Sequence, residues 1–378
     1  MRIKTAFLFS AMFVLGGLLT ACGSRSLAST DFPGLTVQGG KAYLAAGTYV
    51  YRVDLSTGQE ESTVNKDGKT VPVRFPMDNT ATGPFYADPA FTSDGQMIIG
   101  SANINDRKHP FYSANATDFT TTQTNNWPYQ NQAKDIWLGG VLILNNVIYA
   151  PNSDGGLYSF DLNGNMKGKF TVNNEALWSA PVTDGKAIFA SSMDHYVYAI
   201  NPANLNKIWG TELDASIVAS PVVSDGKLYI ATLGGTVYAL NADTGEILWQ
   251  KKFEGGVSDH VVLDGDRLYF GTVYQATGSL YALNAADGST VWTFDAGSAV
   301  TASPLVKDNL IVFVTEAGNV RALDLDGKPQ WQQTLGAKLY TAPVDAGDVI
   351  LVAPMGKSDL MLVAYDTSGA QKWVFAAK

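Results

Sequence analysis

Hydrophobic and polar positions alternate in short runs along most of the chain. In "KLYIAT", residues 227–232, Leu228 and Ile230 fall on one face, and "TVYALN", residues 236–241, repeats the pattern. Alternation with a period of two residues is typical of β-strands. Turn sequences such as "SDG" and "NADTG" separate the runs. The pattern therefore predicts units built from four short strands.

These units repeat. The phrase "YALNADTGEILW", which ends at Trp249, returns as "YALNAADGSTVW", which ends at Trp292. Related phrases end at Trp209, Trp331 and Trp373, so the five tryptophans are 39 to 43 residues apart. A period of about 40 residues indicates a repeat architecture.

Counting from Leu35 gives eight units, at approximately 35–75, 86–125, 136–172, 178–213, 217–254, 257–296, 300–335 and 340–378. Repeated four-stranded sheets favour a closed ring, because closure protects most strand edges. We therefore predict an all-β fold, an eight-bladed β-propeller of four-stranded antiparallel blades. Unit 2 is the most degenerate, and seven blades is the lesser alternative.

Two features of the repeated phrase have a structural explanation. An Asn or Asp begins each turn before the last strand, where its side chain can accept backbone N–H groups. These residues are Asp54, Asp161, Asn201, Asn241, Asn284, Asp324 and Asp366. A Trp follows the turn Gly on the outer strand, where its flat ring can pack against the next blade. We expect Trp209, Trp249, Trp292, Trp331 and Trp373 to dock neighbouring blades.

The N-terminus is predicted to be a targeting segment. "MRIKTAFLFSAMFVLGGLLTAC" has a basic start and an apolar run that is short for a membrane span. Residues 19–22, Leu-Thr-Ala-Cys, resemble the bacterial lipobox, which implies cleavage before Cys22 and its acylation. We divide the chain into a signal peptide (1–21), a lipid-anchored tether (22–34) and a propeller (35–378). A single N-terminal membrane helix is the alternative.

Composition narrows the class of partner. The chain has 378 residues, of which 46% are hydrophobic and 16% charged, which is too apolar for a disordered chain. Its formal net charge is −9. An acidic domain has no general attraction for nucleic acid or anionic lipid, so we expect no nucleic-acid partner. The acidic surface instead favours a basic partner.

The phrases "VYALNADTGEILW" and "SPVVSDGKLYIAT" resemble the pyrroloquinoline-quinone (PQQ)-type propeller repeat. The resemblance covers nearly all of the chain after the N-terminal segment and is strongest from Ser179 to Trp373. It implies two functional branches. One comprises quinone-dependent alcohol dehydrogenases, and the other comprises non-catalytic lipoproteins, including the propeller subunit of the machinery that assembles outer-membrane β-barrels.

The enzyme branch implies an adjacent-cysteine disulfide, calcium ligands and a catalytic Asp. Cys22 is the single cysteine, and the other residues match no position of this sequence. HExxH, GxxxxGK[ST] and GxSxG are also absent, and His109, His195 and His260 are scattered. We therefore predict no catalytic residue, no cofactor and no metal. An oxidoreductase that binds PQQ and calcium is the alternative.

A binding site is predicted on the rim where the fourth strand of one blade connects to the first strand of the next. Departures from the repeat collect in these connections, and loops on rigid scaffolds often carry function. The candidates are Trp127, Tyr129, Trp137, Trp178, Asp259, His260 and Tyr340. Local packing in a degenerate blade would also explain the aromatic residues. A carbohydrate-binding propeller that uses Trp127, Tyr129, Trp137 and Trp178 is a further hypothesis.

The expected function is a membrane-anchored, extracytoplasmic lipoprotein that binds protein partners of the cell envelope as a monomer. Its most concrete form, implied by the resemblance, is a role in outer-membrane protein assembly. In a two-membrane cell we expect the outer membrane, facing the periplasm. In a one-membrane cell the outer face of the cytoplasmic membrane is expected.

Overall fold

The computed structural model describes residues 32–64, 67–77, 83–102, 109–122, 126–130, 133–173 and 175–377. These residues form a ring of eight antiparallel sheets, and in each sheet the strands pair in chain order. The predicted all-β, eight-bladed propeller is confirmed. Among the described residues no helix is long and apolar enough to cross a bilayer.

Blades 1 to 4 occupy the N-terminal half of the ring. Their strands are β1 (Gly34–Gln38), β2 (Lys41–Ala46), β3 (Tyr49–Asp54), β4 (Ser62–Val64), β5 (Thr70–Pro72) and β6 (Arg74–Phe75); β7 (Ala90–Phe91), β8 (Gln96–Gly100) and β9 (Phe111–Asn115); β10 (Leu142–Leu144), β11 (Val147–Pro151), β12 (Gly156–Asp161) and β13 (Met166–Thr171); and β14 (Val182–Thr183), β15 (Ile188–Ser191), β16 (Tyr196–Ile200) and β17 (Lys207–Glu212).

Blades 5 to 8 follow the repeat more regularly. Their strands are β18 (Val222–Ser224), β19 (Lys227–Ala231), β20 (Thr236–Asn241) and β21 (Ile247–Lys252); β22 (Val262–Asp264), β23 (Arg267–Gly271), β24 (Ser279–Asn284) and β25 (Thr290–Asp295); β26 (Leu305–Lys307), β27 (Leu310–Val314), β28 (Asn319–Asp324) and β29 (Pro329–Thr334); and β30 (Val344–Asp345), β31 (Ile350–Val352), β32 (Leu362–Tyr365) and β33 (Gln371–Phe375).

Blades 1 and 2 depart from the common pattern. In blade 1 the hairpin β4–β5 is inserted before the short outer strand β6, which pairs with β3. In blade 2 the described residues form three paired strands, and a single bridge from Ala114 to Thr121 marks the position of the fourth. The degenerate repeat of unit 2 therefore still builds a blade.

Burial follows strand position within a blade. The second and third strands are almost entirely buried, whereas the fourth strands alternate between exposed and half-buried positions, as β19, β20 and β21 illustrate. The first strands surround the axis, and those of neighbouring blades contact each other, including β1 with β30. Hydrophobic clusters fill the spaces between blades, because each inner sheet has apolar side chains on both faces.

All seven predicted turn residues accept backbone N–H groups with their side-chain oxygens. In Asn241, for example, Oδ1 accepts from Asp243 N at 2.9 Å and Thr244 N at 3.0 Å. Equivalent bonds occur at the other six positions, which are Asp54, Asp161, Asn201, Asn284, Asp324 and Asp366. The turn interpretation of these residues is confirmed.

A second contact joins each turn to the preceding blade. In all eight blades, the residue after the turn Asn or Asp accepts a hydrogen bond at its backbone carbonyl oxygen. The donor is a side chain of the previous blade. The donor–acceptor pairs are Arg52–Ala116, Trp127–Leu162, Tyr149–Pro202, Trp209–Ala242, Trp249–Ala285, Trp292–Leu325, Trp331–Thr367 and Trp373–Leu55. A ring of equivalent bonds therefore links every blade to the next.

Blades 1 and 3 lack the repeat tryptophan and use other donors. In blade 1, Arg52 Nη1 donates to Ala116 O at 2.6 Å, and its guanidinium lies over the Phe119 ring at 5.3 Å. In blade 3, Tyr149 Oη donates to Pro202 O at 2.9 Å. A planar cation and a phenol can therefore replace an indole, because each combines a flat surface with a donor at its end.

The predictions for the signal peptide and for Cys22 concern residues outside those described. Only residues 32–34 of the predicted tether are described. The Phe32 ring packs edge-on against Tyr340 at 5.1 Å, and Pro33 O accepts a hydrogen bond from Thr341 Oγ1 at 2.7 Å. Gly34 already belongs to β1. The propeller therefore includes the last residues assigned to the tether.

Candidate partner-binding rim

The connections between blades converge on one end of the ring, which we call the crossover rim. It carries the fourth-to-first strand connections and the second-to-third strand turns. Two groups of polar side chains lie there. The axial mouth consists of Asp88, Asp259, His260 and Ser303, and the rim cluster consists of Glu316, Lys338 and Tyr340.

Asp259 and His260 lie just before β22 at the axial mouth. His260 Nδ1 lies 2.9 Å from Asp259 Oδ1 and 2.8 Å from Ser303 Oγ, and Ser303 N donates to Asp259 Oδ2 at 2.9 Å. The side chains of His260 and Asp259 are 39% and 34% exposed, so both remain partly accessible to solvent. The group thus ties blade 6 to blade 7 while remaining accessible.

The charges of this pair stabilise each other. Burial favours the neutral form of Asp259, but the His260 charge and the hydrogen bonds outweigh it and lower the pKa of the carboxyl to about 2. Burial also opposes the charged form of His260, but the Asp259 carboxylate raises the imidazole pKa overall. The pair therefore favours an imidazolium beside a carboxylate.

Asp88 approaches the same mouth from blade 2, four blades from Asp259 in the ring of eight. Its Oδ1 accepts a hydrogen bond from Leu35 N at 2.8 Å. Desolvation, and secondarily the negative charge of Asp259, raises the pKa of Asp88 to about 6. Two carboxylates and one imidazole therefore act on each other across the axis.

This geometry differs from a nucleophilic triad. In such a triad the hydroxyl and the carboxylate contact opposite nitrogens of the imidazole. Here Ser303 Oγ and Asp259 Oδ1 both contact Nδ1 of His260. The arrangement therefore fixes the imidazole through Nδ1 alone.

The rim cluster lies on blades 7 and 8. Glu316 Oε1 accepts hydrogen bonds from Lys338 Nζ at 2.6 Å and from Tyr340 Oη at 2.7 Å. Burial and the bond to Glu316 raise the pKa of Tyr340 to about 12, so its hydroxyl stays protonated at neutral pH. The cluster presents an ordered phenol, a cation and a carboxylate at the surface.

Trp178 is half-buried in the connection that leads to β14. Its indole Nε1 is buried and has no hydrogen-bond partner among the described residues. Of the seven predicted rim residues, Trp178, Asp259, His260 and Tyr340 thus lie at least partly exposed on the crossover rim.

The prediction that Trp127, Tyr129 and Trp137 form a binding surface is wrong, because all three are at most 5% exposed. Trp127 Nε1 donates to Leu162 O at 3.1 Å, so this residue is the docking tryptophan of blade 2. Trp137 stacks on Phe111 at 4.7 Å, and Tyr129 lies within the same cluster. The carbohydrate hypothesis loses these three residues.

Sequence reasoning missed Asp88, Ser303, Glu316 and Lys338. The sequence does contain a signal for Asp88, because "YADP" in blade 2 occupies the position of "SDHV" in blade 6, which contains the candidates Asp259 and His260. Aligning all eight connections would have revealed it. Glu316 carried no such signal, since it meets Lys338 and Tyr340 only through contact between blades 7 and 8. Lys338 lies two residues before Tyr340 in the same connection, and nothing in its local sequence sets it apart.

Two features that the quinone alternative implies are absent from the sequence or from the described residues. The chain has one cysteine, so an adjacent-cysteine disulfide cannot form. Within the described ranges no group of three or more His, Cys, Asp and Glu side chains could hold a metal ion.

Comparison with solved structures finds proteins that share this fold. BamB from Moraxella catarrhalis is 14% identical, with a TM-score of 0.66 and coverage of 90% of this chain and 96% of that chain. The computationally designed Ika8 protein is also 14% identical, with a TM-score of 0.67 and coverage of 93% and 98%. Quinohemoprotein alcohol dehydrogenase from Comamonas testosteroni is 12% identical, with a TM-score of 0.69 and coverage of 87% and 71%.

These identities establish the fold alone, since the same fold carries an assembly factor, a designed protein and an enzyme. A family model described as outer membrane protein assembly factor BamB matches residues 153–253 and 233–376, which span more than half of the chain. The chain therefore belongs to this family of PQQ-like propellers. No curated protein sequence matches it.

Proposed function

We propose that this protein is a lipid-anchored, extracytoplasmic propeller that binds protein partners during outer-membrane protein assembly and has no catalytic activity of its own. The observation that carries the proposal is the match of residues 153–376 to the family of outer-membrane assembly factors. The match covers blades 4 to 8, which supply Asp259, His260 and the rim cluster.

The crossover rim is the proposed partner-binding surface. Ordered polar and aromatic side chains lose little conformational entropy when a partner binds, which favours affinity. Tyr340 is held by Glu316 at 2.7 Å and by Phe32 through its ring. With a net charge of −9 the protein attracts basic surfaces, so partner association slows as salt increases.

Affinity purification of the full-length, membrane-extracted protein tests the partner surface. We expect the β-barrel subunit of the assembly machinery to co-purify with the wild type. Glu316→Lys should reduce its recovery about tenfold, because the substitution releases Tyr340 and places two cations together. Glu246→Lys, the same charge reversal at an exposed turn on the opposite face, is the matched control.

Equal recovery with both variants would exclude the rim as the binding surface. Absence of the barrel subunit from the wild-type preparation would contradict the assembly role itself. If calorimetry showed tight binding of the quinone with calcium, and the protein oxidised alcohols in a dye-linked assay, the protein would instead be a quinone-dependent oxidoreductase.

The lipid anchor has a separate test. In Cys22→Ser the acyl acceptor is removed, so we expect the protein to leave the membrane fraction and to lose label from radioactive palmitate. A single acyl chain gives only marginal membrane binding, and stable anchoring takes two signals, such as two acyl chains. Unchanged labelling and fractionation of Cys22→Ser would contradict acylation at this residue.

A further inference from the structure

The first described residues of the chain are fixed to the crossover rim. The Phe32 ring packs edge-on against Tyr340, with ring centroids 5.1 Å apart, and Pro33 O accepts a hydrogen bond from Thr341 Oγ1 at 2.7 Å. Both partners belong to the connection between blades 7 and 8. The point at which the chain leaves the ring, which we call the exit point, therefore lies on this rim beside the rim cluster.

Two further contacts hold the chain just after the exit point. A Cβ at Gly34 would clash with the carbonyl oxygen of Ala87, so the start of β1 packs closely against the connection between blades 1 and 2. Leu35 N donates to Asp88 Oδ1 of the same connection at 2.8 Å. The contacts on both sides fix the exit point relative to the ring.

The exit point lies a short distance along the chain from the predicted lipid anchor. Cys22 precedes Phe32 by ten residues, and the residues between them lie outside those described. Covalent geometry limits their reach, because a chain extends by at most about 3.3–3.6 Å per residue. Ten residues therefore span no more than about 35 Å in any conformation, and only about 15 Å as a helix.

We infer that the crossover rim at blade 8 is the membrane-facing part of the propeller, held within about 35 Å of the bilayer. This inference rests on the proposed acylation of Cys22. Because Tyr340 contacts Phe32 directly, a partner that binds the rim cluster presents its contact surface within roughly 40 Å of the bilayer. A domain that projects from an integral membrane protein occupies this zone permanently, and it is the kind of partner that the position fits.

The other end of the ring, which we call the hairpin face, carries the first-to-second and third-to-fourth strand turns. Six-residue strands such as β20 separate the two ends by about 20 Å, before the turns are added. Turning the hairpin face toward the bilayer would require the chain between Cys22 and Phe32 to cross this height, which only a nearly extended chain can do. Every more compact conformation keeps the rim on the membrane side.

The bilayer surface itself does not compete for the rim. The formal net charge of the protein is −9, and an acidic protein is not attracted to anionic lipid. The acyl chains therefore hold the ring near the bilayer while the rim stays open to a protein partner.

Proximity to the bilayer can be measured with single thiols. Cys22 is the single cysteine and its thiol is consumed by acylation, so an engineered cysteine is the only free thiol. The acylated full-length protein is reconstituted in vesicles of phosphatidylethanolamine and phosphatidylglycerol that contain an acceptor-labelled lipid. A donor fluorophore is attached in Ser358→Cys, on the rim of blade 8, in Asp348→Cys, on the hairpin face of blade 8, or in Lys186→Cys, on the hairpin face of blade 4. All three positions are exposed.

Energy transfer should be strongest from position 358, weaker from 348 and weakest from 186. We expect at least about a twofold difference between the first and the last, because the tether bounds only the distance of the blade 8 rim. Duplicating residues 23–30 lengthens the tether and should lower transfer from position 358. Equal or stronger transfer from position 186 would overturn the inference, and so would transfer from position 358 that the longer tether leaves unchanged.

The kind of partner is tested in intact membranes with a cleavable photoreactive group on the same thiols. The protein crosslinked from position 358 should resist carbonate extraction after the crosslink is cleaved, as an integral membrane protein does. A product that carbonate releases would contradict the assignment of the partner. Loss of the palmitate label from the wild type would refute the anchor and this inference together, whereas every other outcome is measured on protein that carries the label.

Discussion

The indole nitrogen of Trp373 donates a hydrogen bond of 2.9 Å to the carbonyl oxygen of Leu55, which joins the last blade to the first. Blade 1 is built entirely from N-terminal strands and blade 8 entirely from C-terminal strands, so no strand is exchanged across this junction. The ring is closed by side-chain contacts, including Tyr51 with Phe375 and Thr341 with Pro33. Trp373 is therefore central to ring closure.

Trp373→Ala should lower the free energy of unfolding by about 3–5 kcal/mol, because it removes a large packed ring and a hydrogen bond at the closure. Trp373→Phe keeps most of the apolar surface and should cost less, with about 1 kcal/mol of the loss due to the hydrogen bond. Urea denaturation followed by fluorescence measures both. Lys372→Ala, at the exposed neighbouring position, is the control. If Trp373→Ala lowers the free energy of unfolding no more than Lys372→Ala does, Trp373 is not central to ring closure.

Alanine substitutions at Gly288 and Gly265 can distinguish the cost of backbone strain from the cost of a clash with a tryptophan. Both have positive φ, 72° and 57°. A Cβ at Gly288 would lie 2.7 Å from Cε3 of Trp249, whereas a Cβ at Gly265 would meet nothing within 4 Å. We expect Gly265→Ala to cost about 1–2 kcal/mol from conformation alone. Gly288→Ala should cost about 1–3 kcal/mol more, because the indole must move.

Thermal and urea denaturation of the two variants check this comparison. Equal destabilisation would mean that the tryptophan contact adds nothing to the conformational cost. The difference is the measured quantity, since the two glycines share the same region of backbone conformation.

Arg52 replaces the docking tryptophan of blade 1 and is 8% exposed. It is paired with Glu61 and donates to the carbonyl of Ala116. Arg52→Met should cost about 2–4 kcal/mol in unfolding free energy, because it leaves a partly buried carboxylate and a carbonyl with fewer partners. Arg52→Lys should recover only part of this loss, since an ammonium lacks the planar fork. Full recovery by Lys, measured by urea denaturation, would show that charge alone matters.

Asp88 makes the stability of the folded protein depend on pH. Its folded-state pKa of about 6 lies above the ordinary value of 3.8. A carboxyl group with a raised pKa contributes most to stability below its unfolded pKa, and this contribution is lost as pH rises through the folded pKa. Asp88→Asn keeps a neutral acceptor for Leu35 N. Because Asp88 is exposed and solvent screens its charge, the variant should melt only slightly above the wild type at pH 8 and at the same temperature near pH 4.

Melting temperatures measured across this pH range test the assignment. Asp225→Asn, an exposed position on the opposite face, controls for the loss of one negative charge. If the difference in melting temperature between Asp88→Asn and the wild type is the same at every pH, the ionisation of Asp88 does not cause it.

Much of the architecture could be predicted from local sequence. The turn residues Asn241 and Asn284 act within their own hairpins, so their role follows from neighbouring letters. The count of eight followed from the period, even though blade 2 has lost much of the pattern. Trp127 shows the limit. Trp127 lies in a connection that lacks the repeated sequence ending in Trp. Only its contact with Gly164 and Leu162 of the next blade identifies it as a docking residue.

The sequence by itself determined the strands, the turns and the number of blades, because these depend on alternation and spacing over a few tens of residues. Only the tertiary structure decided which side chains meet at the ends of the ring. Asp88 approaches Asp259 and His260, and Gln38 approaches Asn145, because ring closure brings together positions that are distant along the chain. Burial of Trp137 was likewise decided by the neighbouring sheet, whose shape no local pattern encodes.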